Sequence, residues 1–382
     1  MKKFAQLVIG AGLTATAIAF AAATCVAVAE DIKIGIPGPV TGPVAFLGQH
    51  VKWGAELAVD EINAAGGVAG RKISFTMQDS ACRPADSVAA AEKLLSADKV
   101  DVLLGDICSG ATLALMPIAE RAGKPMIVAI STHPDISAKA GVGGNKWVFR
   151  TVPDDVLMSS VIADHAIKQG AKTIAFVAED TDYGRGGVKF VTEKLGGKVK
   201  VISDDYLKNS ETDFLPILTR LRSSKPDAIG IFMLDQQVSN FMKQYVQFGM
   251  TSPLVARPPL VSGLVVDLLA TGKFDGSWTV YPYYDGYDGA KNVAFVNAFK
   301  ARFKQGPHYV AYSTYEAVKL VADAVKRAGG TDPAALQKAL AASNFPGILG
   351  PIKFDDHNQA HNNLMLMQVV KGKLKVQELI GS

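Results

Sequence analysis

Ser109 with Thr112, and Ser131 with Thr132, are the side chains best placed by type and spacing to hold a ligand. They lie in V-D-V-L-L-G-D-I-C-S-G-A-T-L-A-L-M-P-I-A-E-R-A-G-K-P-M-I-V-A-I-S-T, from Val100 to Thr132. A hydroxyl where a helix opens, beside free backbone N–H groups and the positive end of the helix dipole, suits a carboxylate or phosphate. The same residues could do less: Ser109 could only cap the helix and Thr132 only begin a loop.

The elements around them predict their placement. Val100 to Leu104 is a short apolar run suited to a strand buried on both faces, and a helix with Leu113, Met116 and Ile118 on its apolar positions follows. Gly123-Lys124-Pro125 ends that helix, and Met126 to Ile130 makes the next strand. Both hydroxyl pairs therefore fall at the carboxyl ends of neighbouring parallel strands, where ligands of open α/β sheets bind.

Other chemistries find less support. The chain beyond residue 29 has no G-x-S-x-G elbow, no phosphate-binding P-loop and no H-E-x-x-H helix, so no enzyme class is indicated. Glu179, Asp180 and Asp182 cluster after a strand without a nearby His, as expected of a solvated loop that caps a helix. His357 and His361 sit between strands and lack the further ligands that zinc needs. No metal and no cofactor is expected. Tyr281, Tyr283, Tyr284 and Tyr287 could line a cleft or pack a hinge, and both readings stay open.

Residues 1–29 read as a secretory signal peptide: Lys2 and Lys3, an apolar core from Leu7 to Ala23, and a small-x-small site at Ala27-Val28-Ala29. The mature chain is expected to begin at Glu30, in the periplasm. A membrane anchor is the alternative, although the apolar core is near the minimum for a span. Cys25 lacks the usual lipoprotein context and is expected to leave with the signal. Loss of Lys2 and Lys3 leaves 38 basic against 36 acidic residues, so the net charge falls from +4 to +2. That balance argues against nucleic acid as a partner. The two remaining cysteines, Cys82 and Cys108, each follow a strand end, and an even number in an exported chain favours a disulfide over two buried thiols. Such a bridge would stabilise by roughly 3 kcal/mol.

About 350 residues suggest two domains. Strand and helix alternate from Ile32 to Arg150, and the pattern restarts with a helix from Asp154 to Lys168 and runs to a strand from Ser277 to Tyr281. Intervening expectations include helices over Gly187 to Leu195, Gln237 to Phe248 and Gly263 to Ala270. Helices from Asn292 to Phe303, Tyr312 to Arg327 and Pro333 to Ala342, and a hairpin from Leu364 to Leu379, have no sheet of their own and should return to the two lobes.

The motifs in order resemble the periplasmic receptors for leucine, isoleucine and valine. The likeness rests on Ile32-Lys33-Ile34-Gly35-Ile36 with Gly38-Pro39 and Thr41-Gly42-Pro43, then Gly54-Ala55-Glu56-Leu57-Ala58-Val59-Asp60-Glu61-Ile62-Asn63 and Gly66-Gly67-Val68-Ala69-Gly70-Arg71. It continues through Asp79-Ser80-Ala81-Cys82, Gly105-Asp106-Ile107-Cys108-Ser109, Asp182-Tyr183-Gly184 and Gly350-Pro351-Ile352-Lys353-Phe354-Asp355. The resemblance implies the type I periplasmic binding protein fold: two doubly wound α/β lobes joined by three crossovers, closing on one small molecule and presenting it to an ABC importer; a receptor that must dock on a membrane complex is expected to be a monomer. Crossovers are expected near Thr151, Tyr281 and His357, with lobe 1 as residues 30–151 and 282–357 and lobe 2 as 152–281 and 358–382. A small-amide sensor of the same fold is the alternative, and the signal peptide argues against it.

Position by position, the resemblance assigns Ser109 to the ligand carboxylate, the Ile130 carbonyl to its ammonium, and a hydroxyl and backbone group of Thr132 to a place near both; Ser131 is expected in the site from its place at the strand end beside Thr132. Leu47, with Phe46 beside it, falls where relatives place an aromatic residue over the ligand side chain, and Tyr183 matches a tyrosine that closes from the second lobe. Two positions depart from the pattern. Arg257-Pro258 stands where amino-acid binders carry a Glu against the ammonium, and Leu234, followed by Asp235, replaces a frequent Tyr. Burying an ammonium without a counter-charge is costly, whereas a guanidinium suits a carboxylate. The expectation is therefore an apolar or aromatic acid, with Asp235 keeping a branched-chain or aromatic amino acid in play. Arg257 could instead belong to a structural ion pair.

Overall fold

The computed structural model describes residues 30–361 and 363–381; the segment read as a signal peptide lies outside them. Among the described residues no helix is long and apolar enough to cross a membrane.

The first lobe grows from short apolar runs flanked by turn residues. β1 (Ile32–Gly38), β2 (Ile73–Asp79), β3 (Val102–Leu104), β4 (Met126–Val128) and β5 (Val148–Arg150) form a parallel sheet in the order β2-β1-β3-β4-β5. The central β3 and β4 are buried throughout, as continuous apolar strands covered on both faces should be. The crossovers are α1 (Ala45–Ala64), α2 (Pro84–Ser96), α3 (Ser109–Ala122) and the short α4 (Asp135–Ala138). Gly123 ends α3 in the left-handed conformation, at φ 58°, and its N–H bonds back to the last carbonyls.

The second lobe repeats the scheme with α5 (Asp155–Lys168), β6 (Thr173–Glu179), α6 (Asp182–Leu195), β7 (Lys200–Leu207), α7 (Leu215–Ser224), β8 (Ala228–Phe232), α8 (Asp235–Gln247), β9 (Leu254–Ala256), α9 (Val266–Ala270) and β10 (Trp278–Tyr281). Several helices differ from expectation at their start. The helix expected from Gly187 begins at Asp182, because Thr181 caps it and outweighs the low propensity of Gly184, Gly186 and Gly187. α8 begins at Asp235 rather than Gln237, and two short 3-10 turns precede α9.

The chain then returns to the first lobe as α10 (Ala290–Phe303), α11 (Tyr309–Ala328), α12 (Pro333–Ala341) and a hairpin of β11 (Phe345–Gly347) and β12 (Gly350–Ile352). α11 lies so close to α1 that a methyl group on Gly54 would stand 2.2 Å from the Ala311 carbonyl oxygen. Tyr315 donates to Glu61 at 2.6 Å and Lys319 pairs with the same carboxylate at 2.8 Å. Finally β13 (Leu364–Val370) and β14 (Lys373–Ile380) join the second sheet, whose order is β14-β13-β10-β9-β8-β6-β7. β13 runs antiparallel to β10 and to β14.

The chain leaves the first sheet after β5 and the second after β10. The third passage between the lobes falls later than His357. Asn358 accepts from Arg150 N at 2.9 Å, Ala360 donates to Arg150 O at 2.8 Å, and Gln359 holds the Arg150 guanidinium and Ser137. These bonds keep the chain on β5 through Ala360, and it enters the second sheet at Leu364.

Candidate functional site: a cleft between the lobes

The turn after β3 is braced from inside. The Asp106 carbonyl accepts from Thr112 Oγ1 at 2.7 Å and from Ser131 Oγ at 2.8 Å, and the two hydroxyls lie 2.7 Å apart. The buried Asp106 carboxyl accepts from Ser87 Oγ and Cys108 N, each at 3.0 Å. Burial pushes its pKa up against these bonds. Cys108 is bonded to Cys82, with Cα atoms 5.6 Å apart, which ties the same turn to the start of α2. The paired hydroxyls thus serve different ends. Thr112 and Ser131 hold the frame, while Ser109 and Thr132 have no side-chain hydrogen bond within the described residues.

Ser109 does not cap α3. The cap position is Cys108, without a side-chain bond, and Ser109 is the first helical residue. The N–H groups of a helix's first turn have no intrahelical acceptor. Here Ser109, Gly110 and Ala111 line a cavity of about 230 Å³ together with Ile130, Ser131 and Thr132.

From the second lobe the cavity meets the ends of β6 and α6, with Leu234 ahead of α8. Glu179 closes β6 and is 2% exposed. Its Oε1 accepts from Thr181 Oγ1 at 2.6 Å, whereas its Oε2 is buried with no hydrogen-bond partner. Burial pushes its pKa up to about 7, against the opposing Thr181 hydrogen bond and the nearby Leu234 N–H. Tyr183, in the first turn of α6, also lines the cavity; burial raises its phenol well above the ordinary value and leaves the hydroxyl unpaired. Met158, Tyr281 and Tyr309 complete an apolar, ring-rich wall.

A second cavity of about 280 Å³ adjoins the first, sharing Glu179, Asn209 and Leu234, and reaches Pro43, Val44, Phe46 and Leu47 of the first lobe. Phe46 lies edge-on to His50 and His308, with ring centroids 4.7 Å and 5.6 Å away. Asp235 borders this cavity, but its carboxylate is engaged across the cleft. Oδ1 lies 2.7 Å from His308 Nε2, and Oδ2 accepts from Tyr309 OH at 3.2 Å, both residues belonging to the start of α11. Burial alone would raise the Asp235 pKa; the charge and hydrogen bond of His308 outweigh it and the pKa is lowered. The lobes also meet where Asp155 N donates to Thr132 O at 2.9 Å and where Asp182 crowds Gly110.

The role expected for Arg257 is corrected. Its guanidinium does not line either cavity; it is fully buried, bonded to the Asp155 carboxylate, and lies 4.6 Å from the Tyr183 ring and 4.9 Å from the Phe232 ring. With a carboxylate at hand in a dry interior, that cation has its counter-charge within its own lobe and supports Tyr183 from behind. The tyrosine run divides too. Tyr281 faces the first cavity, whereas Tyr283 stacks on Tyr312 with ring centroids 4.1 Å apart inside the first lobe. His357 and His361 take separate partners, the Ala140 carbonyl and Asp355.

Sequence reasoning missed Glu179, Met158, Asn209 and Tyr309 as parts of the cleft. Glu179 carried a usable signal, since it ends an otherwise apolar strand at the carboxyl edge where α/β ligands bind. Tyr309 carried none, because it arrives from a helix of the returning segment.

Residues 31–373 match the family model described as periplasmic binding protein. The chain belongs to the periplasmic binding protein family. It is 31% identical to a leucine-, isoleucine-, valine-, threonine- and alanine-binding protein of Pseudomonas aeruginosa, over 87% of this chain and 88% of that protein. A solute-binding protein of an R. palustris ABC transporter, solved with benzoate, matches with TM-score 0.84 at 29% identity, covering 92% of this chain and 96% of the other. A branched-chain amino acid transporter substrate-binding protein of Streptococcus pneumoniae, solved with isoleucine, matches with TM-score 0.83 at 26% identity, covering 92% and 100%. Two lobes around a ligand-sized cleft are the family's architecture, and this member is a solute-binding receptor.

Proposed function

We propose that this periplasmic binding protein captures a small carboxylate with an apolar or aromatic body and, on closure, presents it to an ABC permease from the periplasm as a monomer. The observation that carries the reading is the opening of α3. There Ser109, Thr132 and first-turn N–H groups face a mostly apolar cavity of about 230 Å³, a size suited to one ring or one branched side chain. Contacts made by both lobes to one ligand would stabilise the closed arrangement.

An aromatic acid is favoured by the wall of Tyr183, Tyr281, Tyr309 and Met158, and by the likeness to the benzoate-binding protein. The likeness to branched-chain amino acid binders supports a second reading, an apolar amino acid. Calorimetry with benzoate, 4-hydroxybenzoate, leucine and phenylalanine tests both, together with mass spectrometry of any co-purifying small molecule. Binding of at least one of these acids that weakens in Ser109→Ala is the expected result; affinity indifferent to Ser109 would overturn the assignment.

A further inference from the structure

The two faces of the cleft differ in charge. Among the described residues no lysine or arginine lines either cavity, so a ligand carboxylate meets neutral donors: the hydroxyls and amides of the first lobe and the unpaired phenols of Tyr183 and Tyr281. The second lobe brings carboxylates instead: Glu179 and Asp182 to the first cavity, Glu179, Glu211 and Asp235 to the second. Three of these are accounted for. Asp235 is held by His308 and Tyr309, Glu211 accepts from Thr212 N and Asp213 N in its own turn, and Asp182 is exposed to solvent. Glu179 alone is both buried and half-satisfied, one oxygen on Thr181 and the other without a partner. It stands where the two cavities meet, while Ser109, Ile130 and Thr132 line only the first. Leaving a buried carboxyl oxygen unpaired is costly, and the cost is relieved by a donor brought in from outside.

We propose that Glu179 is the specificity-determining residue of the cleft, accepting a hydrogen bond from a hydroxyl or ammonium that the carboxylate ligand carries. The receptor would then select dipolar acids over plain ones. A ligand without such a donor leaves the Glu179 oxygen unpaired and sets its own negative charge in the same dry cleft as that carboxyl. A donor-bearing ligand pairs that oxygen, and one whose donor is an ammonium also offsets its own negative charge. The carboxyl, held by burial near pH 7, can give up its proton to meet an ammonium or stand beside a neutral hydroxyl. This inference rests on the carboxylate reading above and adds the second pole of the ligand.

The test uses calorimetry on the mature protein with two matched pairs, benzoate against 4-hydroxybenzoate and 4-methylpentanoate against leucine. In at least one pair the donor-bearing acid should bind about tenfold tighter or more. A preference confined to the first pair assigns the donor as hydroxyl, and one confined to the second assigns it as ammonium. In Glu179→Ala that preference should collapse, with the donor-free acid bound as well as before or better. Glu179→Gln, nearly isosteric, should keep much of a hydroxyl preference and lose an ammonium preference, and it decides the matter if the alanine variant folds poorly. Acids that bind without any donor preference, or a preference that survives both substitutions, would overturn the role of Glu179 alone. Failure of all four acids to bind would overturn it together with the carboxylate reading.

Discussion

The two faces of the cleft are built on opposite electrostatic plans. The first lobe presents neutral dipoles: the hydroxyls of Ser109 and Thr132 and the amides opening α3, all held by a turn whose own polar groups are satisfied internally. The second lobe places ionisable groups in a dry interior: Glu179, Asp235, and Arg257 with Asp155. Neutral dipoles fixed by a braced turn can bind an anion without disturbing the fold, whereas buried charges bind their lobe, or the opposite lobe, together. Substitutions on the first face should therefore change affinity, and substitutions on the second should change stability as well.

The largest effect that would test this contrast is Asp155→Ala. It strands the Arg257 guanidinium without its counter-charge, and urea unfolding should register a loss of about 3–5 kcal/mol. A loss well under 1 kcal/mol would mean that Arg257 finds another partner, and the contrast would fail.

Glu179 predicts a pH dependence of known sign. Its folded-state pKa is raised from 4.5 to about 7, so the folded protein holds that proton more tightly than the unfolded chain. Stability should fall as pH rises from about 4.5 to 7 and level off above, by an amount on the order of 3 kcal/mol at most. Glu316, buried beneath the β11–β12 hairpin and also raised to about 7, titrates in the same window. The difference between wild type and Glu179→Gln isolates the Glu179 share: the variant should be more stable at pH 8 and equal near pH 4. Parallel curves would remove the penalty ascribed to Glu179.

On the neutral face the effects are smaller and confined to binding. Ser109→Ala should weaken ligand affinity about tenfold, and the melting temperature of the unliganded protein should not move. A drop in that melting temperature would place Ser109 among the structural hydroxyls. Thr132→Val should act in the same direction and more weakly, by a few-fold, because its backbone bond from Asp155 N remains. Thr112→Val sharpens the comparison within one turn. It removes a brace from the Asp106 carbonyl and should lower stability by about 1 kcal/mol whether or not ligand is present.

Most of the architecture was legible in the chain. Apolar runs of strand length, helices ended by glycine, and a restart after Arg150 predict two α/β lobes, because strand and helix periodicity and turn chemistry are set by near neighbours. The same local logic put hydroxyls at strand ends and brought Cys82 and Cys108 to adjacent turns.

What a polar side chain faces was settled only when distant segments met. Arg257 and Asp155 are 102 residues apart, Asp235 and His308 are 73 apart, and in each case the partner that neutralises the group comes from another element. Ser131 looks like its neighbour Thr132 in sequence, yet it turns inward to the Asp106 carbonyl. Glu179 looks like the loop acids that follow it, yet it is shut inside the cleft. Desolvation makes the difference: a charge or hydroxyl removed from water must take the nearest available partner, and the fold alone decides which partner that is.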